Sequence, residues 1–325
     1  MAKASSLQAR LDRLSEISRM PREPESVRFL MTTLETAPGL ALAKAADIIC
    51  KAACGVGARD ENEPENQADA EWAARFFPAM TGALDRCSAD PARHDRNAPG
   101  KIALATALDR MDYHDATPFL AGARYVQMEP VMGGTVDVAP PFRARCLAAL
   151  VRLRHPDRYD IMGDLLWDAY PDARIGAARA AAYDGSETAR ALLRARALAG
   201  DDETVLGEVL SAILSFRGDR DVEFAGRFLA DPAFGAQAAM ALGESRMPRE
   251  LDRLEGAWED AGDMEVETWE RIVFGVALNG GDEAMDILEK WIRSGPEGRR
   301  DGIMEVVAGV FGEESPRYRR LSQSV

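Results

Sequence analysis

Histidine, cysteine and uninterrupted apolar sequence are all scarce in this 325-residue chain, and each scarcity removes a class of chemistry. The three histidines, His94, His114 and His155, include no His-Glu pair and no His-Glu-x-x-His helix, so no imidazole set exists for a metal or an acid–base relay. Beside Arg93 and Asp95, and Tyr113 and Asp115, the first two read as surface or capping side chains. Four cysteines in so long a chain do not make a disulfide framework. Cys50 and Cys54 fall one helical turn apart and Cys87 ends another helix, which would let three thiols meet. Cys-x3-Cys without a second pair is nevertheless a weak zinc signal, and packing in the core is the expectation, with no cofactor. The longest apolar stretch, Leu40 to Cys54, is broken by Lys44, Asp47 and Lys51, and the opening MAKASSLQARLDRLSEISRM has no apolar signal region. A cytoplasmic protein without a membrane span is expected.

Phosphate cradles and nucleophile elbows are missing as well. Gly55-Val56-Gly57 lacks a third glycine because Asp60 stands in its place, and it follows a helical pattern rather than a strand. No GxxxxGK[ST] and no GxSxG occurs, so ATP hydrolysis and α/β-hydrolase chemistry have no support. Alternation of β-branched and polar residues is nearly absent. Its nearest approach, Gly134-Thr135-Val136-Asp137-Val138, amounts to a short loop hairpin.

What is present points to helices. Residues of the AVILMFWYC set make up 46% of the chain and aromatics only 7%, and alanine strings recur, as in Ala177-Ala178-Arg179-Ala180-Ala181-Ala182. Alanine is the best helix former and lets helices approach closely. The formal charge of −14 argues against general affinity for nucleic acid or anionic membrane. Residues 143 to 196 run the other way, with ten Arg and no Lys against six Asp and one Glu. That island is either a local basic surface or a set of arginines paired with aspartates such as Asp172.

Helical spacing gives a first amphipathic helix over residues 5 to 20, then Val27 to Ala37, a Pro38-Gly39 turn and Leu40 to Cys54. The same grammar predicts helices over Asp69 to Leu84, Lys101 to Met111, Thr117 to Val126 and Phe142 to His155. From about residue 140 the period tightens to about 30. Second helices begin near Phe142, Ala173, Thr204, Ala233, Glu265 and Gly298, with first helices between them from Tyr159, Glu187, Asp221, Pro248 and Asp282. Pro171-Asp172, Gly200-Asp201-Asp202, Asp231-Pro232 and Gly295-Pro296 mark the turns inside hairpins, and Gly185-Ser186, Gly218-Asp219 and Asn279-Gly280-Gly281 mark the exits. A fixed period built from two short helices is the pattern of a stacked array. Trp72, Trp258, Trp269 and Trp291, scattered one to a hairpin, read as core.

Pro171 to Ala182, Pro232 to Gly243 and Pro141 to Leu150 each resemble the second helix of HEAT-like (PBS-lyase-type) repeats: Asp or Pro, then an Arg-bearing turn, then an alanine-rich stretch. The resemblance implies an all-α fold, a right-handed α-α superhelix (HEAT/armadillo-like solenoid) of about eight helical hairpins. Residues 1–115 would be irregular hairpins with a capping helix, 116–312 regular repeats and 313–325 a basic tail, disordered or a docking motif, in one continuous solenoid. It also implies that second helices line a concave face holding the partner. A 31-residue step aligns Arg152, Tyr183 and Leu214, and Ala148, Arg179 and Leu210, with Arg145 one turn earlier. Arg145, Arg152, Arg179, Tyr183, Leu210 and Leu214 are therefore the candidate contact residues, unless Tyr183 and the leucines are inter-repeat core and the arginines solvated.

The segment Tyr125 to Pro141 is long for a turn and carries Met128, Val131 and Met132 around Pro130 and Gly133-Gly134, so Met128 and Met132 are candidates for a binding loop. The absence of His-Glu motifs separates the chain from HEAT-repeat hydroxylases that hold di-iron. The leading reading is a non-catalytic protein- or peptide-binding scaffold. The alternatives are a nucleic-acid-binding or DNA-glycosylase-like helical-repeat protein, for which Trp167-Asp168 beside the arginine island is the one suggestive constellation, and an oligomeric structural subunit.

Overall fold

The structure, a computed structural model, describes residues 2–54, 67–246, 248–260, 266–295 and 297–324, and they are almost wholly helical. The chain divides into two compact units, Met1–Ala177 and Ala178–Val325. In the first unit the order is α1 (Ala2–Ile17), α2 (Pro24–Thr36), α3 (Gly39–Cys54), α4 (Gln67–Ala74), α5 (Phe77–Ala89), α6 (Pro91–His94), α7 (Pro99–Arg110), α8 (Thr117–Ala123), β1 (Met128–Val131), β2 (Gly134–Asp137), α9 (Pro140–Arg152) and α10 (Arg158–Leu166). Helix α11 (Pro171–Asp184) contains the boundary between the units.

Proline opens many of these helices. α2, α5, α7, α8 and α9 each carry it in the first two positions, where the missing N–H would have had no intrahelical partner. The same rule corrects one expectation. The pattern over Asp69 to Leu84 is two helices rather than one, because Pro78 at the second position of α5 forbids the continuous ladder and the chain turns at Arg75-Phe76. α3 packs on α7 and α7 on α9, while α2 packs on α5, so the unit grows by stacking each hairpin on the one before. Leu42, Ile49, Leu104, Leu108, Leu147 and Leu150 fill the seam.

The second unit continues with α12 (Glu187–Ala199), α13 (Glu203–Leu214), α14 (Asp219–Gly226), α15 (Gly235–Ser245), α16 (Pro248–Asp260), α17 (Val266–Asn279), α18 (Asp282–Ser294), α19 (Glu297–Phe311) and α20 (Pro316–Ser322). Here α13, α15, α17 and α19 stack in one layer and α14, α16, α18 and α20 in the other, the α-solenoid arrangement. Ser186 and Asp202 accept the backbone N–H groups of Ala189 and Val205 at 3.2 and 3.0 Å, capping α12 and α13. α15 and α17 approach so closely that a Cβ on Gly243 would stand 2.0 Å from the Gly275 carbonyl oxygen. Trp291 stacks on Trp258 at 4.2 Å between centroids, and Trp269 meets Trp258 edge-on at 6.1 Å.

The basic end of the chain is ordered rather than a loose tail. Ser315 caps α20, Leu321 is buried, and Arg320 bonds Asp286 and Glu289 of α18. Among the described residues the only strands are the antiparallel pair β1 and β2, with Met128 opposite Asp137 and Val131 opposite Gly134. No described helix is long and apolar enough to cross a membrane.

Candidate functional site

The residues aligned by the repeat step have unlike surroundings. Leu210 and Leu214 are buried in the core of the second unit, so they cannot contact a partner; side chains of that size gain about 2 kcal/mol each from leaving water. Arg152 is spent inside the first unit, on Asp109 at 2.6 Å, Asp112 at 2.5 Å and the Tyr113 carbonyl at 2.9 Å. Arg179 pairs with Glu208 of α13, which raises its pKa chiefly through the hydrogen bond. Arg145 and Tyr183 are exposed. Arg143, Arg190 and Arg196 of the same island likewise form ion pairs within their own units, the acceptors including Asp137, Asp168, Asp201 and Asp221.

One member of the island does more than neutralise a neighbour. Arg143, on the first turn of α9 and almost fully buried, donates from Nη1 to Asp137 Oδ2 at 2.5 Å and to the Tyr125 carbonyl at 2.9 Å, and from Nη2 to Asp168 Oδ2 at 2.8 Å. Asp137 ends β2, and its Oδ1 accepts the N–H groups of Gln127 and Ala139 at 3.0 and 2.9 Å. Burial pushes the Asp137 carboxyl up, but Arg143 and the two backbone donors outweigh it and leave the carboxyl below the usual range. Asp168 follows α10, and its Oδ1 accepts the Tyr170 N–H at 2.9 Å. The Tyr170 hydroxyl in turn accepts the Asp137 N–H at 3.1 Å, closing the ring of bonds. A single guanidinium thus clamps the hairpin, α9 and the end of α10 together.

A second buried pair holds the other side of the hairpin. Lys101 and Asp95 are wholly inaccessible, their charges 3.1 Å apart, and Asp95 also accepts the N–H groups of Gly100 and Lys101 at 2.8 and 2.9 Å. Gly39 is required where α3 begins, because a Cβ there would fall 2.4 Å from Asp95 Oδ1. Gln127, buried, donates to the Asp95 carbonyl at 2.9 Å and to Glu129 at 2.6 Å. The hairpin base is fixed, while its tip, with Val131 and fully exposed Met132, stands in solvent.

Beside the Arg143 clamp lies a cleft of about 380 Å³. Val126, Met128, Ile161 and Leu165 supply apolar wall, and Asp137, Asp164, Asp168 and Tyr170 supply polar groups with Arg124 and Arg143. Of the loop candidates, Met128 lines this cleft and Met132 does not. Sequence reasoning had singled out Asp168 only beside Trp167, and had missed Asp137, Lys101 and Gln127. An Asp two residues before Ala139-Pro140 is a readable turn signal, but its pairing with Arg143 is not. Among the described residues no three His, Cys, Asp or Glu side chains group as a metal site would need.

No family model and no curated protein matches the chain. Among solved structures it is similar to an engineered protein, at 15% identity and a TM-score of 0.33, over 99% of this chain and 90% of that one. It is also similar to human deoxyhypusine hydroxylase in complex with glycerol, at 16% identity and a TM-score of 0.31, over 85% of this chain and 98% of that one. The expectation of a non-catalytic scaffold is corrected here. It was drawn from helical-repeat architecture and from the missing catalytic motifs, and two of the six residues assigned to its contact face, Leu210 and Leu214, are core.

Proposed function

We propose that the first unit binds a small organic cation with an apolar body in the cleft at Asp168. The observation that carries this reading is the position of that carboxylate: held by Arg143 and the Tyr170 N–H, it remains 14% exposed at a cleft walled by aliphatic side chains. A volume of about 380 Å³ suits a small molecule, and a mostly apolar lining with few fixed polar groups is the usual composition of such sites. Three aspartates against two arginines leave the lining one negative charge in excess. The ammonium or guanidinium group would sit between Asp164 and Asp168, with its hydrocarbon against Val126, Met128, Ile161 and Leu165. The chain's charge of −14 attracts cations at long range.

Thermal unfolding with matched series of alkyl or aryl ammonium compounds and carboxylates tests the reading. Cations should raise Tm and carboxylates should not; a ligand at about a hundred times its Kd adds about 2.7 kcal/mol. Asp164→Lys should abolish the shift without altering the unliganded Tm, because Asp164 is exposed and pairs with no described cation. Equal shifts from the carboxylates, or an unchanged response in Asp164→Lys, would remove the assignment.

A further inference from the structure

Cys50 and Cys54 are the two thiols of the last turn of α3. They stand four residues apart on one helix, on the same face, and Cys54 Sγ donates to the Arg110 carbonyl at the end of α7 at 3.3 Å. Cys50 is buried, whereas Cys54 is half-buried. Cys87 and Cys146 are separately buried and belong to other contacts. The Cys87 carbonyl accepts a hydrogen bond from Lys101 Nζ at 3.1 Å, and a Cβ on Gly122 would strike the Cys146 sulfur at 2.4 Å.

We propose that Cys50 and Cys54 are a redox site, oxidised by peroxide to an intrahelical disulfide that loosens the end of α3. Cys54 is the sulfur a solvent oxidant reaches. As the thiolate it attacks one peroxide oxygen; the O–O bond breaks, the first water leaves, and Cys54 becomes the sulfenic acid. Cys50 then gives up its proton and attacks the Cys54 sulfur, forming the S–S bond and releasing the sulfenic oxygen as a second water. Two thiols lose two electrons and one peroxide gains them.

Helix geometry sets the consequence. Side chains four residues apart on a helix have Cβ atoms about 5–6 Å apart, whereas a disulfide needs about 3.5–4.5 Å. Closing that gap distorts the turn that joins the two cysteines and removes the Cys54 bond to the Arg110 carbonyl. Oxidation at this site therefore weakens the seam where α3 meets α7, the most extensive helix contact of the first unit.

The sequence offers a direct assay. Trypsin cuts after Lys51, so the two cysteines fall in separate peptides, residues 45–51 and 52–59, that only a disulfide can hold together. The full-length protein, treated with graded hydrogen peroxide, blocked with iodoacetamide and digested without reductant, should yield the linked pair at its summed mass less two hydrogens. That product should form at lower peroxide than any oxidation of Cys87 or Cys146, and hydrogen exchange at the last turn of α3 should quicken with it. Cys50→Ser should instead accumulate Cys54 sulfenic and sulfinic acid. Independent oxidation of Cys54 in the wild type, linkage to another cysteine, or unchanged exchange in the linked form would each overturn the proposal.

Discussion

At the scale of single residues, Arg143 ties together three elements of the first unit, β2, α9 and the end of α10. Its two arms neutralise Asp137 and Asp168, which sit on different elements, and its own exposure is 5%. Removing it leaves two carboxylates without their cation in a poorly hydrated place, the situation in which breaking a buried pair costs about 3–5 kcal/mol. Arg143→Ala should accordingly lower unfolding stability by about that amount in urea titrations at neutral pH. The pH dependence has a definite sign. Asp137 has its folded-state pKa depressed, so its contribution is complete above the ordinary carboxylate range near 4 and is lost as pH falls through the folded value. The difference between wild type and Arg143→Ala should thus be largest at neutral pH and shrink in acid. A difference independent of pH would mean that Arg143 acts by packing alone.

At the scale of elements, the hairpin shows what is legible in a sequence and what is not. Glycines at 133 and 134 and the alternation after them mark a turn and a short strand, and the structure has both. The anchors are invisible beforehand because they depend on distance in space: Gln127 reaches the carbonyl of Asp95, 32 residues earlier, and Lys101 reaches back to the carbonyl of Cys87. Helix positions from 140 onward were readable for the opposite reason, since proline, capping aspartate and glycine act on their own neighbours. The second helices start at Pro140, Pro171, Glu203 and Gly235, each within two residues of expectation, while the expected start at Glu265 lies outside the described residues. Leu210 and Leu214 failed as contact residues because a one-dimensional step cannot say which side of a helix the next hairpin covers. The hairpin's division into fixed base and solvent-exposed tip makes its own prediction. Met132→Ser should leave Tm unchanged, because Met132 has no burial to lose, whereas Gln127→Ala should destabilise by about 1–3 kcal/mol through the orphaned Asp95 carbonyl. Parallel melts of the two variants check it, and equal losses would show that the tip is packed.

At the scale of the whole molecule, charge decides which macromolecules can be held. The chain carries 54 carboxylates against 40 lysines and arginines, and Arg143, Arg152, Arg179, Arg190 and Arg196 of the arginine island are committed to ion pairs. Affinity for duplex DNA rests on lysines and arginines that displace condensed counterions, and each such contact must be available at the surface. Arg143 and Arg196 are nearly buried, Arg152 is enclosed by two aspartates and a carbonyl, and Arg179 faces Glu208. Moving any of them to a phosphate would strand its carboxylate partner and add to the repulsion already felt by the polyanion. A mobility-shift titration with duplex and single-stranded DNA at about 50 mM salt, where phosphate contacts are strongest, should therefore show no retained complex. Retention that weakens steeply with salt would instead reveal a set of surface cations, Arg124 and Arg145 among them, acting together against the net charge.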